Sequence, residues 1–167
     1  MVAHKRGRNL TDILVHQKTS RALKEQKQGR QDCGKVFAIC KKLYEGDTIM
    51  GEKGPLHHDR TIGCRSFNII YGIWCGKCKE VIYVGETGDK FYTRAQNHLT
   101  SIRKNNPGRI PVSKHFGREG HSLGDIYFVG LERVWGRTQL HRREREIRWM
   151  KMIGTYEKDG GENKRLG

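Results

Sequence analysis

The sequence has no apolar run approaching the roughly 18 residues of a membrane-spanning helix, so none is expected to cross a bilayer. No apolar run follows the opening MVAHKRGRN, so no secretory signal is expected. The 21 glycines fall without a three-residue period, which excludes a collagen-like chain. There is no internal repeat. Acids are scarce: 18 Asp+Glu against 33 Lys+Arg leave a formal charge of +15 on 167 residues. Hydrophobic residues make up only 35%. That supplies one modest core and not two, so a single domain with an unstructured extension is expected.

The charge imbalance opposes compaction unless a polyanion is the partner. Nucleic acid is the leading class, because each neutralised phosphate releases counterions. A basic solubilising surface, an acidic protein or a membrane surface are the competing readings. Five cysteines, Cys33, Cys40, Cys64, Cys75 and Cys78, are an odd number. Without a signal peptide they argue against a disulfide framework and for an intracellular setting. Metal ligation or ordinary burial then accounts for them.

Residues 1–31 carry eight Lys/Arg and two acids and read as a basic arm with a short amphipathic anchor. Residues 32–63 form a connector without a clear period. The pattern changes at Phe67. Segments 67–74 (FNIIYGIW) and 80–84 (EVIYV) are rich in Ile, Val, Tyr and Trp and read as an antiparallel hairpin closed by CGKCK. GETGDK reads as a turn. Residues 91–103 fit a helix with Phe91, Ala95, His98, Leu99 and Ile102 on one face. NNPGRIP is a loop, VSKHF a short helix ended by GREGH, and 125–134 a third strand interrupted by Gly130. Residues 138–153 form the longest helix, with Thr138 as its N-cap, before a polar tail. The expected fold class is α+β: a small three-stranded antiparallel sheet flanked by helices. Residues 1–63 are the arm and connector and 64–167 the folded domain.

Several groups carry chemistry. Eleven residues separate Tyr71 and Tyr83, and a hairpin of this length brings the phenols together; cross-strand packing is the plainer alternative. Gly85, just past Tyr83, suits a close backbone approach. Arg94 and His98 are spaced i, i+4 and project from one side of a helix. A guanidinium clamps phosphate in a bidentate way, and a histidine holds phosphate or moves a proton; a solvated basic face is the alternative. On the last helix, Glu146 falls beside Trp149, Met150 and Ile153, whereas Glu144 falls on the basic side. A carboxylate bordering the core suits Mg²⁺ or a buried pair with arginine. Cys75-x2-Cys78 and His115-x5-His121 supply a donor set for tetrahedral Zn²⁺. Their 36-residue separation exceeds the gap of about 12 in base-reading fingers, so a structural clip is expected. Cys33, Cys40 and Cys64 fit a second site with His57 or His58 poorly and are expected as free thiols.

In order and spacing, Ile70-Tyr71-Gly72-Ile73, Tyr83-Val84-Gly85-Glu86-Thr87, Arg94, His98, Glu146 and Asn163 resemble the GIY-YIG nuclease family. Ile69 stands at that family's first glycine, and an alternative alignment on Gly72-Ile73-Trp74 replaces the first tyrosine by Trp74. The Cys-x2-Cys between the tyrosine motifs, HFGREGH, and Arg145-Glu146 with Trp149 are similar to the endonuclease domain of Penelope-like retroelements. NLTDILV at 9–15 resembles the connector behind their reverse transcriptase.

The resemblance implies the GIY-YIG fold and metal-dependent hydrolysis of a DNA phosphodiester. Glu146 would hold one Mg²⁺ or Mn²⁺, and Arg94 would clamp the phosphate. Tyr71 would act as general base, Tyr83 would orient water, His98 would assist and Asn163 would brace the site. Gly85, Lys90, Arg103, Arg142 and Arg145 would line the path of double-stranded DNA. A 3′-hydroxyl left by a nick would prime reverse transcription. The implied partners are a reverse transcriptase domain, element RNA and a second copy met transiently on DNA. The implied location is the nucleus, with no membrane association. A zinc-stabilised, non-catalytic nucleic-acid-binding module and a nuclease for branched or damaged DNA are the competing readings.

Overall fold

The computed structural model describes residues 37–104, 111–135 and 138–155. The basic arm, Cys33, Asn163 and the tail lie outside the described residues. A 3-10 turn, Ala38–Lys42, leads to a hairpin of β1 (Thr48–Gly51) and β2 (Gly54–His57). The elements β3 (Ile69–Cys75), β4 (Glu80–Thr87), α1 (Phe91–Arg103), α2 (Pro111–Phe116), β5 (Ile126–Arg133) and α3 (Gln139–Ile153) follow. A second 3-10 turn, Leu123–Asp125, precedes β5.

The chain is α+β, with one sheet ordered β4-β3-β5 and antiparallel throughout. β3 is central and buried on both faces, which explains its unbroken run of Ile, Tyr, Gly and Trp. Its alternation splits the core in two. Tyr71, Ile73 and Cys75 join Phe91, Ala95 and Leu99 of α1 and Phe128 of β5. Ile70 joins Val84, Val129, Leu131 and, from α3, Trp149 and Met150. Burying a side chain of the size of Leu99 or Met150 contributes roughly 1.5–3 kcal/mol, so the helices are held by these stripes.

The observed ends differ from the sequence reading for local reasons. Phe67 is 57% exposed and Asn68 takes a left-handed φ of 50°, so β3 starts at Ile69. β4 runs on through Gly85, Glu86 and Thr87, read from sequence as a turn, because Thr87 pairs with Ile69. Residues 37–63 had no legible period, yet they place Ile39, Leu43 and Ile62 in the α1-side core. Ile62 packs where β5 bulges opposite Tyr71, and a Cβ at Gly130 would collide with it. α3 begins at its expected cap: the Thr138 side chain accepts from the His141 N–H at 3.4 Å.

Candidate functional site

β3 and β4 set the two tyrosines side by side. Tyr71 pairs with Gly85 and Ile73 with Tyr83, so both phenols face α1, with ring centroids 6.4 Å apart. Gly85 makes the cluster possible: a Cβ there would lie 2.6 Å from the Tyr71 hydroxyl and 2.8 Å from Tyr83 Cε1. α1 brings Arg94 and His98 to the same point, one turn apart. Arg94 Nε donates to the Tyr71 hydroxyl at 2.9 Å, and His98 Nε2 lies 2.7 Å from the same oxygen. Arg94 also hydrogen-bonds Tyr83. Tyr71 is completely buried, whereas Tyr83 is half-buried.

Burial, and then the charge of Arg94, pushes His98 down to about 3, so its ring is neutral. Its Nδ1 is buried without a partner. Burial pushes both phenols above their ordinary value, Tyr71 further than Tyr83, and Arg94 only partly offsets it.

α3 approaches from the other face of the sheet. Glu146 is buried and Glu144 exposed, as the helical spacing requires. Glu146 Oε1 accepts from the Glu86 N–H at 3.1 Å, which places the carboxylate at the Gly85–Glu86 end of edge strand β4. Burial first, then the Glu86 carboxylate, push Glu146 up to about 7, against the opposing pull of Arg143 and Arg94. The charge of Glu146 in turn raises both tyrosines, so the four groups form one electrostatic unit. A desolvated carboxylate, Glu146, thus lies beside a second one, Glu86, at the end of β4.

The remaining basic positions are dispersed. Arg142 Nε donates to Glu86 Oε2 at 2.6 Å and its terminal nitrogen to Asn68 Oδ1 at 3.1 Å. Arg145 pairs with Glu132 at 2.6 Å, and Glu132 also accepts from Trp149 Nε1 at 2.8 Å. Both arginines brace α3 against the sheet. Lys90 is exposed at the start of α1. Arg103 is exposed at its far end, close enough to Lys42 to help lower that amine's pKa, after burial. Glu86 and Asn68 were not singled out from sequence. The only signal for Glu86 was its place after Gly85, where strand alternation turns it toward α3.

A second cluster lies at the closed end of the β3–β4 hairpin. The ligand atoms of Cys75, Cys78, His115 and His121 all lie within 4.8 Å of one another and can hold a metal ion such as zinc. Cys78 Sγ is 3.2 Å from His121 Nε2 and 3.7 Å from His115 Nε2. The Cys78 N–H points at Cys75 Sγ at 3.5 Å, and Lys79 takes a left-handed φ of 59° to close the turn. Burial, then His121 and Arg118, push His115 down to about 4, leaving its lone pair available at neutral pH.

No second cluster joins Cys40 or Cys64 to His57 or His58 among the described residues. Cys64 is buried in the core. Cys40 is disulfide-bonded, which corrects the expectation of a free thiol there. His58 sits between the carbonyls of Gly46 and Gly130, at 2.7 and 3.2 Å, and so serves the fold. No protein-family model matches this chain, and no curated protein or solved structure matches it either.

Proposed function

We propose that this chain is a divalent-metal-dependent DNA endonuclease of the GIY-YIG type, acting at the Tyr71–Tyr83–Arg94–Glu146 cluster. The observation that carries the reading is the Tyr71 hydroxyl. It accepts from Arg94 and meets His98 beside a second phenol, at the strand end where Glu146 arrives. A structural tyrosine needs one partner; this one engages a cation and an imidazole beside a second phenol that is only half-buried.

Glu146 would hold Mg²⁺ or Mn²⁺, which when bound supplies positive charge to the phosphate oxygens and the leaving 3′ oxygen. Arg94 lies on the tyrosine side of the cluster, where it can neutralise the scissile phosphate. Tyr71 is sealed from water, so its part is to fix Arg94 and His98. Tyr83 is the phenol that reaches solvent and is the better placed to orient the attacking water. His98, neutral and buried, keeps the Tyr71 oxygen in register. The Cys75–Cys78–His115–His121 cluster would clip the hairpin with zinc. A nick leaving a 3′-hydroxyl, used to prime reverse transcription in the nucleus, is the biological setting that the sequence resemblance suggests.

The test is nicking of supercoiled plasmid by zinc-loaded protein with and without Mg²⁺ or Mn²⁺, comparing wild type with Glu146→Ala. Metal-dependent nicking absent in the variant is expected. Nicking retained by Glu146→Ala removes the metal assignment. DNA binding with no nicking in either protein favours a non-catalytic binding module.

A further inference from the structure

The sheet face turned away from Tyr71 is covered by α3 only at one end. Ile70, Gly72 and Trp74 lie along it by alternation, and Trp149 and Met150 of α3 pack at the Ile70 end. At the other end Trp74 pairs with Tyr127 of β5, and their rings meet edge to face at 5.5 Å. Tyr44, in the segment before β1, tilts against Trp74 at 4.9 Å. Its hydroxyl donates to the Thr48 carbonyl at 3.0 Å, which fixes the ring. The three aromatics, with Leu43, Lys41 and Glu45, line a cavity of about 530 Å³. All three rings are half-buried, so the cavity wall presents them to solvent.

Two kinds of ligand suit an aromatic cavity: a quaternary ammonium and a flat aromatic ring. The charges nearby separate them. Lys41 is in the wall, and Lys42 lies over the Tyr127 ring at 5.9 Å, held by the carbonyls of Leu123 and Ile126. The chain carries +15. In the wall a cationic ligand would meet Lys41 and one carboxylate, Glu45, with Lys42 close by over the Tyr127 ring and Asp125 near that amine, so the overall positive charge of the chain decides against it. An aromatic ring carried on an anionic backbone would meet lysines suited to its phosphates. Bases in a duplex are stacked and paired and cannot enter, so the occupant is unpaired. We propose that the Tyr44–Trp74–Tyr127 cavity is a stacking site for an unpaired base of a nucleic-acid strand, on the sheet face opposite the tyrosine cluster. The site holds strand that the cutting face does not touch, and it does not depend on cleavage.

The experiment compares two labelled probes of equal length, oligothymidylate and an abasic deoxyribose-phosphate chain, binding the full-length protein by fluorescence anisotropy without Mg²⁺. Both carry the phosphates; only one carries rings. One stacked base gives wild type a preference for oligothymidylate of roughly five- to hundredfold. Trp74→Ala with Tyr127→Ala should erase that preference and leave abasic binding unchanged, whereas Trp74→Phe should keep it. Should the double variant melt early, Tyr127→Ser alone, on an edge strand, should lower the preference severalfold. Equal binding of both probes by wild type, or a preference that survives loss of the rings, overturns the proposal. So does quenching of Trp74 by tetramethylammonium that oligothymidylate cannot reverse. Plasmid nicking is read separately, so failure here leaves the endonuclease reading to its own test.

Discussion

Glu146→Gln should stabilise the fold at pH 8 while abolishing nicking. The carboxylate is 8% exposed and its pKa is pushed up to about 7, by burial and then by Glu86. A folded value above the unfolded one means that the folded chain keeps a proton the unfolded chain has released. The stability from that proton is fully present below the ordinary carboxylate value and is lost as pH rises through about 7. The span from 4.5 to about 7 corresponds to at most about 3 kcal/mol at pH 8 and about 1 kcal/mol at pH 5.5. Glutamine is neutral at both and keeps an oxygen for the Glu86 N–H. At roughly 2–4 °C per kcal/mol for a chain of this size, the variant should melt several degrees above wild type at pH 8. The gain should shrink by more than half at pH 5.5. The assay is thermal melting in zinc-containing, magnesium-free buffer at both pH values, beside plasmid nicking. Mg²⁺ should raise the melting temperature of wild type at pH 8 and not that of the variant. Equal melting at pH 8, or an equal gain at both pH values, refutes the reasoning from desolvation and Glu86.

Four further substitutions probe the tyrosine site and the cysteine–histidine cluster. Tyr71→Phe removes the oxygen shared by Arg94 and His98 and leaves buried polar groups unpaired, so it should lose about 1–3 kcal/mol along with nicking. Tyr83→Phe should lose nicking with a smaller drop in melting temperature; the opposite ranking would reverse the roles of the two phenols. Gly85→Ala sets a Cβ 2.6 Å from the Tyr71 hydroxyl, so it should lower both stability and nicking, and unaltered behaviour would show that the cluster can spread. Cys75→Ser should release zinc and lower the melting temperature; a metal-free wild type by elemental analysis, with equal melting, rejects the clip.

What the sequence made legible was periodic. The expected face of α1, Phe91, Ala95, His98, Leu99 and Ile102, is its buried face, and Glu146 lies with Trp149 and Met150 on that of α3. Such patterns are set by residues one turn apart, so a single segment contains them. The β1–β2 hairpin was not legible because its four-residue strands are half-exposed and only Ile49 goes deep. The ion pairs of the arginines were not legible for another reason. Arg142 and Arg145 looked available for phosphate, but their partners, Glu86 and Glu132, come from other elements, and charge counting does not reveal such pairs. Likewise Tyr71 and Tyr83 look equivalent in sequence. Their burial differs because one lies on the central strand and the other on an edge.

The two clusters are linked through β3. Tyr71 and Cys75 lie four residues apart on the same face of one strand, so a metal held by the cysteine–histidine cluster would fix the strand whose other half carries the phenol. With a metal bound, the hairpin would be held at its closed end by Cys75 and Cys78 with the two histidines. It is held at its open end by Arg142, which joins Glu86 of β4 to Asn68 just before β3. A bulge between Ile73 and Trp74 separates the two halves of the β3–β4 pairing. A one-residue slip turns side chains to the opposite face, which would carry Tyr83 away from Arg94. Losing the cysteine-histidine cluster should therefore reduce nicking at temperatures well below the melting transition, because register fails before the core does. If Cys75→Ser protein, still folded, nicks at the wild-type rate, the clip protects only the hairpin turn, and the tyrosine pair is positioned by α1 and Gly85 alone.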